Sequence, residues 1–196
     1  MMSKRAVFVC ALAAIALSYP SQAARVVADY DVRNGSFENP AGADGATPAN
    51  WMVMTESRKN AGIIAGVSMT GDQSFRFQAM EKPNGYQGLV QEVTVIEKEK
   101  YTFTVHAKNS KSSPMKATGV GQLVVEWLDE DGQEVGREWT PHWTHTLSRM
   151  RWTKFQLKNR RAPRGAVKAR VGVHMWEGSR GSRGEFYVDN IAVEEK

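Results

Sequence analysis

The densest group of chemically capable side chains is the segment REWTPHWTHTLSRM, residues 137–150, which holds Trp139, His142, Trp143 and His145. Two imidazoles can begin a metal site. No third ligand and no helical HExxH pattern accompanies them, so they do not make a zinc centre. GVSMT lacks the second glycine of a G-x-S-x-G nucleophile elbow. No dinucleotide or phosphate loop is present. Glu92 and Glu126 are strand-borne acids, and a glycosidase needs two carboxylates about 5–9.5 Å apart. Their separation across a sheet is not set by sequence. Glu38 raises a different question, because in NGSFE a carboxylate directly follows an aromatic residue. It is either an ordinary residue at the start of a strand or one half of an ion site whose other half lies far along the chain.

The elements that must position these residues are strands. Period-two alternation recurs between turn signals, the pattern of an all-β sandwich or barrel. YTFTVHAK sets Tyr101, Phe103, Val105 and Ala107 against Thr102, Thr104, His106 and Lys108. AVKARVGVHMW sets Val167, Ala169, Val171, Val173 and Met175 against Lys168, Arg170, His174 and Trp176. GIIAGVSM, SFRFQA, GLVQEVTV, GQLVVEWL, RWTKFQLK and GEFYVDNIAVE read as further strands, and RVVADY as another. TGDQ, KPNG, NSKSSP, DEDGQ, RAPRG and GSRGSRG supply the turns. Nine or ten strands without a helix predict two packed antiparallel sheets in one domain.

The first residues carry an address. Lys4 and Arg5 precede an apolar run from Ala6 to Leu17, and SQA places small residues before a cut after Ala23. The run is shorter than the roughly 20 apolar residues that span a bilayer. Residues 1–23 therefore read as a cleaved secretory signal, and 24–196 as a secreted or periplasmic domain. The only cysteine, Cys10, lies inside the signal, which leaves the domain without disulfides or a thiol nucleophile. Without Lys4 and Arg5 the chain has 24 basic against 21 acidic residues, so the formal charge falls from +5 to +3. Much of the basic excess sits in KNRRAPRGAVKAR. In an exported protein such a cluster suits acidic polysaccharide or lipid headgroups rather than nucleic acid, or else is a solvated loop beside charged strand faces.

The order of segments resembles the carbohydrate-binding modules appended to secreted cellulases and xylanases, within the galactose-binding-like jelly-roll group. NGSFE opens the domain, PANWMV follows a polar loop, and TGDQSFRFQ forms a hairpin. LVQEVTV leads to KYTFTVHAK, VEWLDEDGQEVG makes a strand–turn–strand, and GEFYVDNIAVEE closes the chain. The resemblance implies a jelly-roll β-sandwich that binds polysaccharide or glycoconjugate without catalysis. It also implies a structural Ca²⁺ held by Glu38 and Asp189, with oxygens from Ser36, Thr70 and Gln73. Ca²⁺ takes six to eight hard oxygens, and carboxylates with carbonyls supply them.

Sugar rings are met by aromatic faces, with polar side chains at the hydroxyls. Trp51, Trp127 and Trp152 read as core. Trp139 and Trp143, in what reads as a polar loop, are candidate glycan contacts, and so are Trp176, Arg170, His174 and Tyr86. Thr102, Thr104 and His106 would join them if they share that sheet face. Two rival classes remain. One is an envelope structural or adhesion protein with a protein partner, and the other is a small jelly-roll polysaccharide hydrolase or lyase.

Overall fold

The computed structural model describes residues 31–41 and 45–196. The secretory signal and the strand expected at RVVADY lie outside the described residues. In chain order the strands are β1 (Pro40–Ala41), β2 (Thr47–Pro48), β3 (Met52–Thr55), β4 (Ala61–Ala65), β5 (Gln73–Gln78), β6 (Tyr86–Thr94) and β7 (Lys100–Asn109). They continue with β8 (Lys116–Ala117), β9 (Val120–Leu128), β10 (Glu134–Trp139), β11 (Thr153–Arg161), β12 (Lys168–Trp176), β13 (Ser182–Arg183) and β14 (Glu185–Glu195). The one helical element among the described residues is a 3₁₀ turn, Arg58–Asn60.

Two antiparallel five-stranded sheets face each other, as the alternation predicts. The first runs β10-β9-β12-β6-β3 and the second β11-β7-β14-β5-β4. The inward residues of each strand are the apolar half of its alternation. Ala169, Val171, Val173 and Met175 of β12 are fully buried, as are Tyr101, Phe103, Val105 and Ala107 of β7. An aromatic chain threads the interior. Trp51 meets Phe37 at 5.7 Å, Phe37 meets Phe75 at 5.8 Å, and Phe75 meets Phe77 at 5.0 Å. Phe77 stacks on Phe186 at 5.1 Å, Phe186 meets Trp143 at 5.7 Å, and Trp143 reaches Phe155 at 4.7 Å. Offset and edge-on pairs of this kind add about 0.5–1.5 kcal/mol each beyond the area they bury.

NGSFE is answered by close packing. A Cβ at Gly35 would sit 2.0 Å from the Ile191 carbonyl oxygen, so only glycine lets the opening turn lie on β14. The Ile191 amide donates to the Gly35 carbonyl at 3.0 Å. Phe37 then takes a left-handed φ of 63° and is fully buried, and the next residue, Glu38, turns its carboxylate to the amides of Asp72 and Gln73. Backbone strain of this type costs of order 1–3 kcal/mol and persists only where packing over-determines it.

Candidate functional site

The ladder registers fix which residues share the outer face of the first sheet. Tyr86, Trp176 and Val120 stand in one row across β6, β12 and β9. Two residues along, Met54, Gly88, His174 and Gln122 form the next row. Met52, Val90, Gly172, Val124 and Trp139 form a third. Directly opposed residues in such ladders project to the same side. Five large apolar side chains are exposed on this face: Met52 and Trp139 at 56%, Trp176 at 45%, Met54 at 42% and Tyr86 at 37%. An apolar group of this size on one face marks a binding surface.

Glycines keep the floor low. Gly88 and Gly172 present no side chain of their own: the Tyr86 ring leans across Gly88, where a Cβ would come within 3.4 Å of its hydroxyl, and Val90 packs over Gly172, its Cγ1 2.7 Å from where a Cβ would lie. Tyr86 also meets His174 edge-on at 5.1 Å. From strand geometry the Cα atoms of Trp139 and Trp176 stand about 16 Å apart, four residues along and two strands across. The result is a trough with a tryptophan at each end and methionines on one side.

The fourth row is a line of charge. Lys168 and Arg170 meet Glu92 at 3.3 and 2.8 Å. Arg170 reaches Glu126 at 3.0 Å, and Arg137 meets Glu126 at 3.0 Å and also Glu134. These three cations and three carboxylates cancel, so the wall they form is polar but neutral. Arg170 was expected as a ligand contact; its Nε, Nη1 and Nη2 all donate to Glu92 or Glu126. It therefore holds the wall. The same bonds hold the Glu92 carboxyl below the usual carboxylate range, through the Arg170 hydrogen bond first.

Burial pushes the Tyr86 phenol up to about 12, with Glu126 adding to the effect. Burial first, then Arg137, lowers His174 to about 4. His174 is therefore an uncharged imidazole at neutral pH. Between about 4 and its ordinary value of 6.5, the unfolded chain binds a proton that the folded chain refuses. The contribution of His174 to stability is complete above pH 6.5 and is lost as pH falls towards 4. We expect the melting temperature to decline with acidification across that window, and the decline to flatten in His174→Asn.

Trp143 is a correction. It is 3% exposed, and its ring sits over Gly121, where a Cβ would lie 2.1 Å from its Nε1. The chain at residue 143 bridges back to β9 at Gly121, which drives the ring into the core instead of outwards. Trp139, expected in the same loop, is instead the last residue of edge strand β10 and is exposed. Thr102, Thr104 and His106 belong to β7 in the second sheet, so they line the opposite outer face. Trp51 and Trp127 are core, at 6% and 1% exposure. Trp152 is half-buried, and its Nε1 donates to the Ser68 carbonyl at 3.0 Å. Met52 and Met54 were missed, although the alternation in WMVMT, with Trp51 and Val53 facing inwards, carried the signal.

Glu38 and Asp189 do converge. The Glu38 carboxylate accepts the amides of Asp72 and Gln73, the latter at 2.9 Å. Asp189, fully buried, accepts the amides of Met69 at 2.7 Å, Thr70 at 3.3 Å and Asn190 at 2.7 Å. Thr70 Oγ1 donates to Asn190 Oδ1 at 2.7 Å. Burial first, and Glu38 in addition, raise the Asp189 carboxyl above its ordinary value. Among the described residues neither carboxylate has a Lys or Arg within ion-pair distance. Two close carboxylates answered by amides alone leave negative charge uncompensated, and the oxygens present are of the hard kind that Ca²⁺ takes. In donor type and charge the residues fit such an ion.

A second buried carboxylate, Glu177, was not anticipated. It is fully buried and accepts the amides of Met80 at 2.6 Å, Lys82 at 3.2 Å and Ser182 at 3.4 Å, tying two loops to the end of β12. Nothing in its immediate sequence marks it, because its partners are backbone groups on other loops.

No family model matches the chain, and no curated protein matches its sequence. Among solved structures it is similar to TmCBM61, solved in complex with β-1,4-galactotriose, at 14% identity and a TM-score of 0.57. That match covers 86% of this chain and 99% of that one. It is also similar to the CBM22-1–GH10 modules of endo-1,4-β-D-xylanase 10B from Clostridium thermocellum, complexed with xylohexaose. Identity there is 17% and the TM-score 0.58, over 86% of this chain and 29% of that one. The CBM22-1 xylan-binding domain of Paenibacillus barcinonensis Xyn10C matches at 14% identity and a TM-score of 0.52, over 82% of this chain and 91% of that one. At these identities the likeness is one of fold, the jelly-roll β-sandwich of carbohydrate-binding modules.

Proposed function

We propose that the protein is an exported, non-catalytic binder of polysaccharide and that its site is the trough on the outer face of the first sheet. One observation carries this reading. Trp139, Trp176 and Tyr86 are exposed on a single sheet face, above a low floor that includes Gly88 and Gly172 and beside a neutral polar wall. Aromatic faces suit the apolar CH patches of sugar rings, and the charged row and Gln122 offer hydrogen-bonding groups to hydroxyls. The solved modules of the same fold that hold β-1,4-galactotriose and xylohexaose support it. A hydrolase is less well supported, because a general acid needs a raised pKa and Glu92 is shifted the other way. The test is retardation in native gels containing β-1,4-galactan or xylan, compared with the Trp139→Ala/Trp176→Ala variant.

The proposal includes Ca²⁺ at the Glu38–Asp189 seam, where it would neutralise the paired carboxylates and join the first and last segments. A ligand present at about 100 times its Kd stabilises by about 2.7 kcal/mol, and at this size 1 kcal/mol moves Tm by about 2–4 °C. Excess chelator should therefore lower Tm by about 5–10 °C, with recovery on adding Ca²⁺. An unchanged transition would leave the amides alone to hold the seam.

A further inference from the structure

The loops at the Trp176 end of the trough form a second site. The loop after Trp176 pairs with the segment before β9 in a two-residue ladder, with Ser182 opposite Ala117 and Arg183 opposite Lys116. Like charges directly opposed in an antiparallel pair are destabilising. The only acid meeting this pair among the described residues is Glu81, 3.4 Å from Arg183, with both side chains largely exposed. Lys116 and Arg180 have no ion pair among the described residues. Together with Arg183, its partner Glu81, Thr118, Gly181 and Ser182 they line a depression of about 590 Å³, so three cations face one carboxylate there. A neighbouring depression of about 330 Å³ shares Lys116 and adds His145 and Arg149.

The fold fixes the backbone that carries these cations. The buried Glu177 carboxylate pins the Ser182 amide, and Thr118 Oγ1 donates to the Glu177 and Gly181 carbonyls at 2.8 and 3.1 Å. Gly178, Gly181 and Gly184 take left-handed φ of 74°, 74° and 86°, which the tight path requires. A rigid loop that opposes two cations around a hollow gains stability when an anion enters it.

We propose that this depression is an anion subsite that takes an acidic group, a uronate carboxylate or a sulfate ester, on a polysaccharide lying along the trough. The proposal rests on the trough reading above and names the ligand class more narrowly. The probes are neutral β-1,4-galactan, polygalacturonate, dextran sulfate and vesicles of phosphatidylglycerol. The variants are Lys116→Gln/Arg180→Gln, which keeps the Arg183–Glu81 pair, and Trp139→Ala/Trp176→Ala.

The expected result is tighter binding of the wild type to the acidic glycans than to galactan, with the difference shrinking as salt rises and screening shortens. Lys116→Gln/Arg180→Gln should keep its galactan affinity and lose about tenfold on the acidic probes at low salt. Equal affinity of this variant and the wild type for the acidic probes would overturn the subsite. Binding to vesicles that depends on Lys116 and Arg180, without acidic-glycan binding, would also overturn it and assign the basic end to a membrane surface. Cation-dependent binding of the acidic glycans that survives the tryptophan variant would overturn the subsite as part of the trough, whereas galactan binding that survives that variant would overturn the trough reading itself. Loss of galactan binding in the tryptophan variant alone supports the trough reading independently of the subsite.

Discussion

A chain carrying both Trp139→Ala and Trp176→Ala should lose at least about 100-fold in affinity for β-1,4-galactan or xylan, while its melting temperature moves by no more than a few degrees. The two effects separate because the rings are exposed at 56% and 45%, so folding draws little stability from them. Burial of apolar area contributes about 25 cal/mol per Å², and aromatic contact adds about 0.5–1.5 kcal/mol. Each ring covered by a sugar then contributes about 1.5 kcal/mol. Two such contacts approach 3 kcal/mol, or about two factors of ten. Each single variant should lose about tenfold, since the rings stand about 16 Å apart by strand geometry and act on different units of the ligand. Trp143→Ala serves as a contrast. Emptying that buried ring site should cost about 3–5 kcal/mol of stability, and any loss of binding would follow from unfolding. Undiminished retardation of the double variant, with a native melting transition, would remove the trough as the binding site.

The difference between Trp139 and Trp143 shows where sequence reading stops. Both lie in a polar segment, and period two gives out after Trp139. What buries Trp143 is the absence of a side chain at Gly121, some twenty residues earlier, and that slot appears only when β9 and the 143 bridge come together. The same limit explains Thr102, Thr104 and His106. Their alternation correctly separated inside from outside, yet which sheet a strand joins is decided by pairing with β11 and β14, residues far along the chain. Local period was enough for the strands themselves and for the polar face that carries Arg170, His174 and Trp176. Glu38 and Asp189 were legible through the ordered resemblance of the opening and closing segments. Glu177 was not, because a carboxylate that binds only backbone amides leaves no partner residue to read.

Asp189→Ala should cost about 3–5 kcal/mol and lower Tm by about 10 °C. The Asp189 carboxylate accepts three amides, those of Met69, Thr70 and Asn190, at a fully buried position. Deleting it strands those donors, and each buried unpaired group costs about 1–3 kcal/mol. The turn at 68–71 then loses its anchor to the last strand, and with it the support of Glu38, which grips the amides of Asp72 and Gln73 just after the turn. Ionised Asp189 is not comfortable there either. Its raised pKa means that the folded chain holds a proton more tightly than the unfolded chain, so this group by itself makes stability fall as pH rises from 3.8 through the raised value. A divalent cation between the two carboxylates would reverse that sign by favouring the charged forms. The wild type should therefore gain stability from Ca²⁺ at neutral pH and lose that gain in acid, where protons displace the ion. Asp189→Ala should be low-melting and indifferent to chelator at every pH. If it instead melts within a degree or two of the wild type, the two ends of the chain are held by packing at Gly35 and Phe37, and the carboxylate clamp is incidental.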